Sequence, residues 1–168
     1  ALEGAQVARA RGYELERGLP FAMIGTILRA LLDRPGVAAA SPASLAELAR
    51  IVPEFGTRFP GLPPAPEAVG ESARIRFAEA LLDLVVALTV EHPLVLLVDN
   101  LQQVDDASLA ALHFVMRRVT QQPLIILLTS RHQPPQDAPT ATRIWETAAQ
   151  LSLGTLELPC MTSGNPGR

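Results

Sequence analysis

The sequence predicts an α/β domain built on a parallel sheet with helices on both faces. Two aliphatic runs carry this reading. Leu94–Val98 and Leu124–Leu128 each sit between a proline and a polar turn, as strands buried on both faces do. Segments with helical apolar spacing precede and separate them, and that alternation builds βαβ units. The composition agrees. Of 168 residues 48% are hydrophobic, 4% aromatic and 18% charged, enough apolar material for one core of single-domain size.

Taken in order, Gln6–Ala10 is a short strand candidate with Val7 as its β-branched residue. Arg11 to Pro20 holds two glycines and a proline and reads as a loop. Phe21 to Asp33 carries apolar residues at 21, 24, 27, 28, 31 and 32, a helical stripe closed by Pro35-Gly36. Ser44 is the expected N-cap of a second helix running to about Ile51, with Glu47 completing a capping box. Pro53 to Gly70 contains five prolines and three glycines and reads as an ordered surface excursion. Glu71 to Glu91 is the longest predicted helix. Its expected inward face is Ile75, Ala78, Leu82, Val85, Val86 and Val90, with Arg74, Arg76, Glu79 and Asp83 opposite.

Pro93 ends that helix and the first aliphatic strand follows. Asp106 to Val119 is a further helix, with Leu109, Leu112, Val115 and Met116 inward and Arg117-Arg118 favouring its C-terminal dipole. After the second aliphatic strand, a helix over about 140–150 and a last strand, Thr155–Leu158, complete the pattern. Residues 1–158 are read as the domain, and 159–168 as a flexible tail or the start of a following domain.

Several function classes are excluded. A formal charge of −3 does not suit a generic binder of the nucleic-acid backbone. Cys160 is the single cysteine, so an internal disulfide or a cysteine zinc site cannot form, and a cytoplasmic setting is expected. The apolar runs are too short to span a bilayer. Ala1 opens the chain with no basic n-region and no small-residue cleavage site, so no signal peptide is expected, and the chain reads as a piece of a longer protein.

In parallel sheets, ligands bind beyond the carboxyl ends of the strands. Asp99, Asn100, Asp105 and Asp106 follow the first aliphatic strand, and Thr129, Ser130 and Arg131 follow the second. An acid just past a buried strand can hold Mg²⁺ through water while the ion bridges nucleotide phosphates, and an Arg on a neighbouring tip can read the terminal phosphate. An acid in that position equally serves as a helix N-cap or an Asx-turn former.

Three segments resemble a known family. Pro93-Leu-Val-Leu-Leu-Val-Asp99-Asn100-Leu-Gln-Gln-Val-Asp105-Asp106-Ala-Ser108-Leu109 is similar to the Walker B segment of signal-transducing, AAA-like (STAND-type) P-loop ATPases in large LuxR-type transcriptional regulators. Arg9 to Phe21 is similar to the stretch those regulators carry after their P-loop helix, and Leu127 to Arg131 resembles their sensor strand. The resemblance runs from about Val7 to Leu158 in the family's order. It implies an ATP- and Mg²⁺-binding switch, with Asp99 toward the metal, Asn100 toward the attacking water, and Thr129 and Arg131 toward the γ-phosphate.

Two departures stand out. No G-x-x-x-x-G-K-[ST] loop occurs. The resemblance therefore implies that Ala1 falls within or just after the P-loop helix, and that the chain alone is inactive. Asn100 replaces a second acid, and an amide cannot take a proton from water, so hydrolysis is expected to be slow or absent. DNA is an expected partner only through a helix-turn-helix domain outside this chain. Self-association is a further possibility, and a membrane is not expected. The other reading of the same features is a catalytically silent α/β scaffold that binds a protein.

The remaining candidates are bland. His92, His113 and His132 lack ligand spacing, and His113 is expected to be a packing residue. Glu14 and Glu16 read as a charged surface loop and Trp145 as core. Ser108 and Ser130 lack His and Asp partners at triad spacing.

Overall fold

The computed structural model describes residues 4–67, 69–119, 121–130 and 139–150. Three strands, β1 (Gln6–Arg11), β2 (Leu94–Asp99) and β3 (Leu124–Leu128), form one parallel sheet in the order β1-β2-β3. The first crossover carries helices α1 (Ala22–Leu31), α2 (Pro42–Leu48), α3 (Glu54–Arg58) and α4 (Glu71–Thr89), and the second carries α5 (Asp106–Arg118). Helix α6 (Pro139–Gln150) follows β3. The predicted α/β class and parallel sheet are as observed. The predicted strand Thr155–Leu158 and the tail lie outside the described residues.

Both crossovers step the same way along the sheet. Such connections are right-handed, which directs their helices to one face. The burial pattern follows: Ala8, Ala10, Leu94, Leu96 and Val98 are sealed, as are Ile24, Ile27, Leu28 and Leu31 of α1 and Leu109, Leu112 and Val115 of α5. On the other face, Val7 and Leu127 stay 50% exposed and Ile125 38%. The run 124–128, expected to be buried on both faces, is therefore closed on one. It pairs with β2 alone among the described strands.

Strand β1 runs one residue further than predicted, through Arg11. Its first residue is a buried Gln6 whose side-chain amide donates to the Pro35 and Leu88 carbonyls at 3.1 and 3.4 Å. That ties the sheet to the ends of α1 and α4. The N-cap of α2 is Ser41, not Ser44. Ser41 Oγ accepts from the Ser44 N–H at 3.1 Å, and Pro42 takes the first helical position, where a missing N–H costs nothing.

Helix α4 is rotated from the predicted face but shares part of it. Ala78 and Val85 are buried as predicted, and Phe77, Ala80, Leu81, Leu84 and Leu88 join them, while Ile75 is 46% and Val90, just past the helix, 76% exposed. Phe77 sets this rotation by packing on the Phe21 ring, centroids 4.4 Å apart. The described part of the proline-rich excursion holds helix α3 and is tied to the domain by side-chain bonds. Arg50 Nη1 and Arg76 Nη2 both donate to the Pro66 carbonyl, at 3.2 and 2.6 Å, and both pair with the buried Glu47.

Candidate functional site

Strands β2 and β3 are parallel neighbours, so their carboxyl ends open at the same rim of the sheet. Asp99 is the last residue of β2, and Thr129 follows β3 directly. Thr129 Oγ1 donates to Asp99 Oδ1. The Asn100 N–H lies 3.1 Å from Asp99 Oδ1 and 3.2 Å from Thr129 Oγ1. Main-chain bonds hold the two tips together, from Thr129 N to Val98 O and from Leu101 N to Thr129 O, each 2.9 Å. Three of the four sequence-predicted site residues are thus brought into one cluster. Arg131 lies outside the described residues.

Strand β1 adds a residue that sequence reasoning missed. Arg11 stands opposite Asp99 in the parallel register, and its Nε lies 3.6 Å from Asp99 Oδ2. With the Asn100 amide turned so that Oδ1 faces Arg11, that oxygen accepts from Arg11 Nε and Nη2 at 3.1 and 3.2 Å. The signal was present: an arginine ends β1 where the aspartate ends β2. The hydrogen bond from Thr129 is the largest cause holding the Asp99 carboxyl below its ordinary range. Burial opposes it, and Arg11, the Asn100 N–H and Arg9 reinforce it.

The turn after Asp99 is tight. Asn100 is left-handed (φ 58°, ψ 52°), a conformation that asparagine adopts more readily than most residues. Gly12 lies against this turn. Its N–H donates to Asp99 O at 2.8 Å, and a Cβ there would stand 2.7 Å from Asn100 O and Gln103 C and 2.8 Å from Val104 N. Glycine is required because backbone meets backbone.

The acids further along the loop do not join the cluster. Asp105 is the N-cap of α5 and accepts from the Ser108 N–H at 2.8 Å. The same carboxylate accepts from the Phe21 N–H at 2.8 Å and the Met23 N–H at 3.4 Å, so it also caps α1. Phe21 needs this outside partner because it enters α1 in a left-handed conformation (φ 63°) with no side-chain cap of its own. Ser108, fully buried, adds a bond from the Ile24 N–H to its Oγ at 3.1 Å. Asp106 is exposed in the first turn of α5, where its charge suits the helix dipole.

The remaining candidates also find structural places. Ser130 Oγ donates to Gln102 Oε1 at 3.2 Å. Glu14 and Glu16 lie in a surface 3-10 turn, Glu14–Glu16. His113 pairs with Thr147 Oγ1 at 2.9 Å, a packing histidine as predicted, and Trp145 of α6 is half-buried. A cavity of about 150 Å³ lined by Phe21, Ile51 and Phe77 lies in the helical layer and is too small for a nucleotide.

The comparisons with known proteins fit this geometry. The AAA ATPase domain family matches residues 1–127, that is, 127 of 168 positions. The chain belongs to that family. As an AAA domain it has the P-loop NTPase-like α/β fold, and the family implies nucleotide as the ligand class. The matched stretch contains Arg11, Gly12, Asp99 and Asn100 and stops two residues before Thr129. No curated protein and no solved structure matches the chain. Among the described residues, no helix is long and apolar enough to cross a membrane.

An AAA domain implies magnesium alongside the nucleotide. Among the described residues, no three His, Cys, Asp or Glu side chains converge. A magnesium ion needs no such cage, because one carboxylate, water and phosphate oxygens complete its shell. Asp99, its side chain 25% exposed, fits that role through Oδ2 once Arg11 moves aside.

Proposed function

We propose that this AAA domain is the nucleotide-switch core of a cytoplasmic transcriptional regulator of the large LuxR type, with slow or absent hydrolysis. The observation that supports it most is the junction of the β2 and β3 tips through Asp99, Asn100 and Thr129. Asp99 would hold magnesium through water. Thr129 and Arg131 read the γ-phosphate. Asn100 hydrogen-bonds the attacking water but takes no proton from it. Magnesium, when bound, would supply positive charge to the nucleotide phosphates.

In this reading residues 1–158 are part of the ATPase domain, and 159–168 are a tail or lead into the next domain. A strand and helix N-terminal to β1 carry the phosphate loop. The half-open aliphatic strand β3 supports that arrangement, since parallel strands are ordinarily covered on both faces. DNA contact belongs to a separate helix-turn-helix domain, and self-association is a further partnership that this reading allows.

Calorimetric titration of ATP and Mg²⁺ into the protein carrying its phosphate loop tests this. Asp99→Ala should abolish magnesium-dependent binding, and Asn100→Asp should raise hydrolysis by returning a carboxylate beside the water. Arg131→Ala should weaken ATP more than ADP. Unchanged ATP binding in Asp99→Ala sinks the assignment. The second reading, a silent protein-binding scaffold, draws on Asn100 and on the pairing of Arg11 with Asp99, and it requires that no variant bind ATP.

A further inference from the structure

The Asp99 carboxylate already has a cation against it. Its Oδ1 is taken by Thr129 Oγ1 and the Asn100 N–H, and its Oδ2 faces the Arg11 guanidinium at 3.6 Å. The same guanidinium reaches Asn100 Oδ1 with Nε and Nη2. Arg11 therefore bridges the two residues at the tip of β2, and its planar fork suits that bridge better than a point charge would. Arg9 lies two residues back on the same side of β1 and adds to the field at Asp99. Two arginines and one carboxylate leave this corner one charge positive, which opposes a dication and attracts a polyphosphate.

The latch is placed by the fold. The register sets Arg11 beside Asp99, and Gly12 holds the following chain against the Asn100 turn. Arg11 is nonetheless 52% exposed along its side chain, with Tyr13 as its other neighbour at 5.9 Å from the ring centre. It can swing outward without opening the core.

We propose that Arg11 is a latch that excludes free divalent cations from Asp99 in the nucleotide-free protein, and that nucleotide phosphates release it by drawing the guanidinium away. The proposal rests on the reading of Asp99 as the metal residue and deepens it. Arg11 acts here as a positioning residue. It makes the empty site selective for metal that arrives with phosphate, so that ambient Mg²⁺ alone does not set the switch.

Titration of the 168-residue chain with Mn²⁺, followed by paramagnetic broadening of the Gly12, Asn100 and Thr129 amides against that of Leu45, tests the latch without any turnover. Arg11→Met should tighten Mn²⁺ binding at these amides about tenfold, the effect of removing one positive charge beside a dication near the surface. Arg11→Lys keeps the charge and should stay close to the parent. Asp99→Asn introduced into Arg11→Met should abolish the broadening. The amide spectrum of each variant reports its fold, which the exposure of Arg11 protects.

Equal Mn²⁺ affinity in the parent and Arg11→Met, with Asp99→Asn abolishing both, overturns the latch and leaves the metal residue standing. Broadening that survives Asp99→Asn overturns both. Absence of broadening in Arg11→Met at millimolar Mn²⁺ overturns the latch, because Arg11 is then not what keeps the ion out. Binding by Arg11→Lys as tight as by Arg11→Met overturns it too, since exclusion by charge is the claim.

Discussion

Asp99 ends β2, Asp105 lies six positions beyond it, and the two have opposite fates. Asp105 is 3% exposed and accepts from three backbone N–H groups, two of them from another helix. Asp99 stands at the rim, bonded to a hydroxyl and one N–H and facing a half-exposed guanidinium. The buried carboxylate is fully used by the fold. The outer one is held in place by the fold and keeps an oxygen for something else. An acid after a strand is a candidate for chemistry only when the backbone has not already claimed it.

The largest predicted effect sharpens that contrast. Asp105→Ala leaves the first turns of both α1 and α5 uncapped, with buried N–H groups unpaired. It should destabilise the domain by about 3 kcal/mol, summing cap loss and unsatisfied donors. Asp99→Ala breaks contacts at a half-exposed rim and should cost less than about 1 kcal/mol. Urea unfolding of both variants beside the parent measures this. Similar losses in the two would erase the distinction and make Asp99 a structural residue.

A second variant attacks the support of the rim. Gly12→Ala drives a methyl into the backbone of Asn100, Gln103 and Val104, all within 2.8 Å. Backbone cannot step aside as a side-chain end does, so a loss of about 2 kcal/mol is expected, the middle of the overpacking range. The amides of Asn100 and Thr129 should shift while those of Phe21 and Ser108 stay in place. Shifts that appear equally at the Asp105 cap would mean that the two corners move as one body.

Much of this was legible in the residues. The aliphatic runs gave β2 and β3, and the spacing of Leu109, Leu112, Val115 and Met116 gave the buried face of α5, all at 3% exposure or less. Asp99, Asn100 and Thr129 could be paired from strand-tip reasoning, because a short crossover keeps neighbouring strands adjacent. The misses share a cause. Helix α4 carries apolar side chains around most of its circumference, so its period left the inward face open until Phe77 met Phe21. Arg11 and Asp105 take their meaning from partners 88 and 84 residues away. Glu47, three residues past Ser44, points to Ser44 as the N-cap, whereas Pro42 fills the first helical position behind Ser41.

The smallest predicted effect tests the structural side of the comparison by titration. His113, on the helix that Asp105 caps, bonds Thr147 of α6. Burial is the main cause holding its imidazole below the ordinary histidine range, and Arg117 and Arg143 add to it by repulsion. In the unfolded chain the same ring takes a proton near pH 6.5. Between that value and the lower folded one, the unfolded state binds more protons, so stability must fall as the pH drops. The contribution is complete above about pH 6.5, declines as the solution is acidified, and levels off below the folded value. Asp99 and Asp83 are both held below the usual carboxylate range, so they lose their contributions only at more acid pH. Comparing the unfolding free energies of the parent and His113→Gln from pH 7 to pH 5 therefore assigns this histidine's share of the slope. His113→Gln should flatten the curve in that window and leave the acid limb unchanged. An unaltered slope between pH 7 and 5 would show that another group carries the dependence and that the α5–α6 contact is indifferent to the proton.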